Sequence, residues 1–131
     1  MAGGAVIVAG FGFRAAADIA SLKDAYGRAR AALPEGVAPE SIATVSDKAE
    51  MPVFRALAAE LALDPIGVDA ARLADQKTST RSEASIAARG ASSVAEAAAL
   101  AAAGPGARLL GPRVVSGDGM ATCALAEGDT E

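Results

Sequence analysis

The segment Val6-Ile7-Val8-Ala9-Gly10-Phe11-Gly12-Phe13-Arg14 passes from an apolar run into alternating glycine and phenylalanine and ends on a cation. Val6-Ile7-Val8 is a short β pattern, and a strand that runs into glycines ahead of a helical repeat marks the first strand-to-helix passage of an α/β fold. The helix is predicted from Ile19, Leu22, Tyr26 and Leu33 at helical spacing, with Asp18, Lys23, Asp24 and Arg28 on the remaining faces. Pro34-Glu35-Gly36 stops it.

The same alternation continues along the chain. Ile42-Ala43-Thr44-Val45 reads as a second strand, and Val53, Phe54, Leu57 and Leu61 mark the buried stripe of a second helix. Proline is accommodated at the first helical position, so Met51 is the expected cap before Pro52, leaving Asp47 to Glu50 as loop. Pro65-Ile66-Gly67-Val68 suggests a third strand, and Asp69 a cap for a brief helix through Leu73. Gln76 to Ser82 has no apolar period and reads as a polar loop, and Ser82 to Arg89 as one or two helical turns closed by Gly90. Ser93 and Glu96 form a capping box for an alanine-rich helix that Gly104-Pro105 ends. Leu109-Leu110, Val114-Val115 and Met120 to Ala126 supply the last strands, with Gly117-Asp118-Gly119 as a hairpin turn. The expected architecture is a single-domain three-layer α/β/α fold with a mixed sheet of about five strands, over residues 1–126. The polar tail 127–131 is expected to fray.

Composition narrows the chemistry. The 131 residues are 52% hydrophobic, but 36 of them are alanine, so the core is lean. There is no histidine and one cysteine, which excludes imidazole bases, Ser-His-Asp and Cys-His arrangements and Cys/His zinc sites. No metal or cofactor is therefore assigned. One cysteine makes no internal disulfide, and no basic region precedes the first apolar run, so a cytoplasmic location is expected. No apolar run approaches the roughly 20 residues of a membrane helix. A net charge of −4 with three Phe and one Tyr lacks the footprint of a nucleic-acid binder. A small ligand is the better expectation.

Ligands of α/β sheets sit beyond the carboxyl ends of the strands, where three loops are expected: Gly10 to Arg14, Ser46 to Glu50, and Lys77 to Ser82. The first matches a relaxed dinucleotide fingerprint, but the acid expected about 20 residues on would be Asp47, which arrives much later. Gly10 and Gly12 serve equally well in a tight turn or a general anion site, to which Arg14 adds a carboxylate partner. Lys48 lies between the acids Asp47 and Glu50, and Lys77 and Arg81 flank three hydroxyls. Glu96 has its capping role, Cys123 reads as a buried thiol, and Phe11 and Phe13 share one face, either in the core or beneath a flat ligand.

Four stretches in register resemble a known family: Gly10 to Arg14, Ala43 to Glu50, Ser93 to Leu100 and Met120 to Ala126. Together they look like the CobE family, which is similar to the carboxyl-terminal domain of CbiG, both of cobalamin biosynthesis. The resemblance runs from about Val6 to Ala126. It implies a three-layer α/β fold and a tetrapyrrole or precorrin intermediate as ligand, whose peripheral carboxylates suit Arg14, Lys48, Lys77 and Arg81. The implied ligand-binding set is Gly10, Gly12, Arg14, Thr44, Asp47, Lys77, Ser79, Arg81 and Ser82. Lys48, Glu50 and Glu96 are candidates for acid/base work. The acid expected two residues after Thr44 is replaced by Ser46, with Asp47 displaced by one, which favours Lys48 over Asp47 for a chemical role. Full-length CbiG proteins look like lactone hydrolases with an additional amino-terminal region. A chain without that region is closer to CobE, to which no chemical step is assigned. The expected function is a carrier or accessory factor for a corrinoid intermediate, with other corrin-pathway enzymes as partners. The alternatives are an enzyme on the same ligand and, more remotely, a nucleotide-binding module.

Overall fold

The computed structural model describes residues 5–14, 16–33, 37–69, 94–104, 107–110 and 113–129. The expectations for Pro34 to Gly36, for Asp69 to Leu73 beyond Asp69 itself, for Gln76 to Gly90, for Ser93 and for Pro105 lie outside the described residues. Within them the chain forms β1 (Ala5–Phe13), α1 (Ile19–Arg30), β2 (Ser41–Val45), α2 (Ser46–Ala49), α3 (Pro52–Leu61), β3 (Asp64–Val68), α4 (Val94–Ala103), β4 (Arg108–Leu109), β5 (Val114–Val115) and β6 (Ala121–Asp129). The six strands make one mixed sheet in the order β3-β2-β1-β6-β4, with β5 also paired to β6. β1, β2 and β3 run parallel, and β6 runs antiparallel to β1, β4 and β5. The expected three-layer α/β/α architecture holds.

Alternation along β1 gives the two faces different materials. Ile7, Ala9, Phe11 and Phe13 enter a core with Leu22 and Tyr26 of α1, Phe54 and Leu57 of α3, and Ala121, Cys123 and Leu125 of β6. Phe11 and Phe13 are core residues here and do not floor a ligand: Phe13 stacks on Phe54 at 6.1 Å between ring centroids, and Phe11 meets the edge of Phe54 at 6.0 Å. Cys123 is buried on this face as expected, and burial pushes its thiol pKa well up.

The opposite face carries Val8, Gly10 and Gly12 beneath the alanines of α4. A Cβ on Gly10 would lie 2.1 Å from the Ala95 carbonyl oxygen and 2.6 Å from the Ala99 nitrogen. One on Gly128 would lie 2.2 Å from the Ala103 carbonyl oxygen. These glycines let the helix backbone rest on the sheet backbone. The Gly10–Phe13 turn, and with it the dinucleotide fingerprint, is thereby corrected: β1 continues to Phe13, because nine residues pair with β6, Phe13 opposite Ala121.

Other boundaries follow physical cues. Asp18 caps α1 by accepting the Ser21 N–H at 3.0 Å, and Met51 precedes Pro52 at the start of α3 as expected. Asp47 to Glu50 is not plain loop, since Ser46 to Ala49 make a helical turn. Gly67 of β3 allows it: a Cβ there would sit 3.2 Å from both Ala49 Cβ and Ser46 Cα. The tail expectation is corrected too. Glu127, Gly128 and Asp129 pair with Ile7, Val6 and Ala5, and Arg108 holds Glu127 at 2.6 Å.

Gly10→Ala is expected to destabilise the fold by about 3 kcal/mol, because the added methyl meets backbone that cannot step aside. Gly27→Ala, on an exposed helical position with nothing within 4 Å, is expected to stabilise by about 0.5–1 kcal/mol. Equilibrium denaturation of the two variants checks both signs.

Candidate functional site

Because β1, β2 and β3 are parallel, their carboxyl ends share one edge of the sheet. α2 begins there directly after Val45, and the first turn of α4 lies against Gly12, Val94 Cβ being 3.4 Å from where a Cβ on Gly12 would stand. β6 starts at the same edge, where the Arg14 N–H donates to the Met120 carbonyl at 3.0 Å. The edge thus gathers residues distant in sequence: Arg14, Ser46 to Lys48, Val94 to Glu96 and Met120 to Thr122.

The β1 carbonyls that outrun the β2 ladder are satisfied by side chains. The parallel ladder is registered from Val8 with Ser41 to Gly10 with Ala43. Beyond it, the buried Thr44 hydroxyl donates to the Phe11 carbonyl at 2.8 Å, and the Lys48 ammonium donates to the Phe13 carbonyl. Lys48 also lies over the Phe13 ring, 4.9 Å from its centroid, a cation–π contact. On the other side, the Thr122 hydroxyl donates to the Gly12 carbonyl at 3.2 Å. Thr44, fully enclosed, and Gly10, covered by α4, are structural supports of the edge here rather than open ligand contacts.

The remaining expected residues fall in different places. Arg14 is exposed, and its guanidinium has no partner among the described residues. Asp47 is exposed on α2, while Glu50 is exposed and pairs with Arg55 at 3.4 Å. Glu96 is wholly buried in the first turn of α4, and its carboxylate accepts the Arg113 backbone N–H at 2.9 Å. Lys77, Ser79, Arg81 and Ser82 lie outside the described residues. Among the described residues, no three or more His, Cys, Asp or Glu side chains cluster as a metal site requires.

A network unseen in the sequence fixes the hairpin at this edge. The hairpin itself is as expected, with Val115 paired to Thr122 and the Ser116 N–H on the Ala121 carbonyl at 2.8 Å. Asp118 accepts from the Ser116 and Ser21 hydroxyls and from the Met120 N–H. Asp24 of α1 accepts the Gly117 N–H at 2.7 Å and the Arg28 guanidinium at 3.1 Å. The Ser116 hydroxyl above all, with Ser21 and the Met120 N–H, holds the Asp118 carboxyl down to about 2. The Gly117 N–H, then Arg28, lowers that of Asp24.

The model of the family described as cobalamin synthesis G C-terminus matches residues 7–126. The chain belongs to this family. It is thereby a protein of cobalamin biosynthesis. Among solved structures it is similar to CobE, a protein from the cobalamin (vitamin B12) biosynthetic pathway, at 29% identity and a TM-score of 0.79. That alignment covers 94% of this chain and 93% of the other. It is also similar to the cobalamin biosynthesis protein ChiG from Agrobacterium tumefaciens str. C58, at 36% identity and a TM-score of 0.69, over 92% of this chain and 97% of the other. No curated protein sequence matches the chain. Among the described residues, no helix is long and apolar enough to cross a membrane.

The Asp118 tether predicts an acid-dependent fold. A carboxyl whose folded pKa lies below its ordinary 3.8 contributes stability that is present above that value and lost as pH falls towards about 2. Melting temperatures from pH 6 to pH 2 are expected to drop below pH 4 in the wild type. Asp118→Asn should melt lower at pH 6 and fall less steeply, whereas parallel curves would remove Asp118 from the account.

Proposed function

We propose that the chain binds a tetrapyrrole intermediate of corrin-ring construction at the carboxyl edge of its parallel strands, as a carrier or accessory factor. Corrin precursors present acetate and propionate carboxylates around a large apolar ring, and an exposed guanidinium at the end of β1 is a bidentate partner for such a group. Arg14 takes that role. Asp47, exposed on α2, accepts hydrogen bonds from the same ligand, and Lys77, Ser79, Arg81 and Ser82 add donors from the sequence between β3 and α4. Corrin-pathway enzymes are the partners that deliver and collect the ligand, and the cytoplasm is where they meet.

The observation that favours binding over chemistry is the condition of the three acid/base candidates. The Lys48 ammonium sits on the Phe13 carbonyl, Glu96 is buried against the Arg113 N–H, and Glu50 faces Arg55 in solvent. Each has a structural engagement, and a general acid or base must instead lie within reach of the reacting atom. The lactone-opening reading is therefore the second choice, and nucleotide binding loses its support with the glycine turn.

Titrating the protein with metal-free and cobalt corrinoid carboxylates is expected to give a saturable absorbance change near one ring per chain and no new product by mass spectrometry. Arg14→Ala should weaken binding about tenfold with little change in melting temperature. A new product would replace the carrier by an enzyme, and the absence of any spectral change would contradict the proposal.

A further inference from the structure

We infer that Arg113 and Val115 form a second ligand-contacting wall of this edge, with Arg113 selecting a free carboxylate on the far side of the macrocycle; the inference rests on the tetrapyrrole reading above. Two independent relations place these residues. Val115 pairs with Thr122, whose hydroxyl reaches the Gly12 carbonyl, so it stands in the row of the sheet that meets the first turn of α4. Arg113 immediately precedes β5, and the strand alternation carried one residue past Val114 puts it on the face of Val115. Its backbone N–H is held at 2.9 Å by Glu96, which lies in that same turn.

The chemistry left over at this spot is that of an amphipathic anion site. The buried carboxylate of Glu96 takes the backbone N–H of Arg113, a half-buried residue whose guanidinium has no ion-pair or hydrogen-bond partner among the described residues. A guanidinium with its donors unused is a bidentate partner for an incoming carboxylate. Beside it Val115 is 45% exposed, a large apolar side chain that the fold does not cover. A guanidinium next to an uncovered apolar side chain matches a ligand whose charges surround an apolar ring. It does not match a small hydrophilic anion.

Spacing points the same way. Extending the registered pairs puts Arg113 opposite Ala124, which faces Gly10, four residues before Arg14. With strands about 4.8 Å apart and about 3.3 Å per residue, the two arginine backbones are roughly 16 Å apart. Backbones so separated leave room for each guanidinium to meet a carboxylate of its own. The two cations can hold two carboxylates on different sides of one macrocycle, with the first turn of α4 between them.

The test uses the whole chain with dicyanocobyrinic acid, whose side chains are free carboxylates, and dicyanocobinamide, whose side chains are amidated. Arg113→Ala is expected to fold normally, since its backbone bond to Glu96 survives, and to weaken binding of the free acid about tenfold or more. Its binding of the amidated corrinoid should change less than twofold, and Arg113→Lys should recover part of the affinity. Val115→Ser should weaken both ligands alike. If wild type binds the acid and Arg113→Ala binds it equally well, or loses both ligands equally, the role of Arg113 is overturned while the tetrapyrrole reading stands. If wild type binds neither compound, both fall together.

Discussion

A methyl group that is absent from Gly10 determines how this molecule is layered. With the Ala95 carbonyl oxygen 2.1 Å from the place a Cβ would take, α4 rests on the sheet at a distance that only bare backbone permits. Gly12 and Gly128 extend the same surface, and the alanines of α4 complete it from above. The other face of β1 is its complement, with Phe11 and Phe13 filling the wider space beneath α1 and α3. A chain poor in large apolar residues thus builds two cores of different kinds, one thin and close-packed, the other aromatic.

Seating α4 so closely fixes where its first turn stands, and that turn brings Glu96 to the segment before β5. Pairing with β6 carries β1 on to Phe13, past the end of its registered ladder with β2, so that the carbonyls of Phe11 and Phe13 lie beyond that ladder. Thr44 and Lys48 answer them. Backbone acceptors need partners as far as solvent is excluded, and here side chains supply them. The edge is therefore held by its supports and charged at its rim, where Arg14 is exposed. The proposed binding role draws on that combination, whereas the proposed alternative, an enzyme, would need an acid and a base within reach of the reacting atom.

Much of this was legible in the sequence where local physics decides the outcome. Pro52 placed Met51 as a cap, Gly117-Asp118-Gly119 announced a hairpin, and the alternation of Ala121, Cys123 and Leu125 put the thiol in the core. Gly10-Phe11-Gly12-Phe13 is ambiguous locally, because glycines serve both turns and close packing. The choice is made by α4, which lies far along the chain. Glu127 to Asp129 look like a tail until β1 is seen to be long enough to pair with them. Glu96 carried a sufficient local explanation as a capping residue, and nothing near it in sequence indicates Arg113. The Ser21–Asp118 contact likewise joins residues that only the sheet brings together.

The most direct test of the binding edge is amide chemical-shift mapping of the isotopically labelled chain as dicyanocobyrinic acid is added. The account predicts changes centred on Arg14, Ser46 to Lys48, Val94 to Glu96 and Arg113 to Val115, with Lys23 and Glu60 on the outer surfaces of α1 and α3 unmoved. Changes centred on the opposite edge of the sheet, around Glu40 and Asp64, would contradict it.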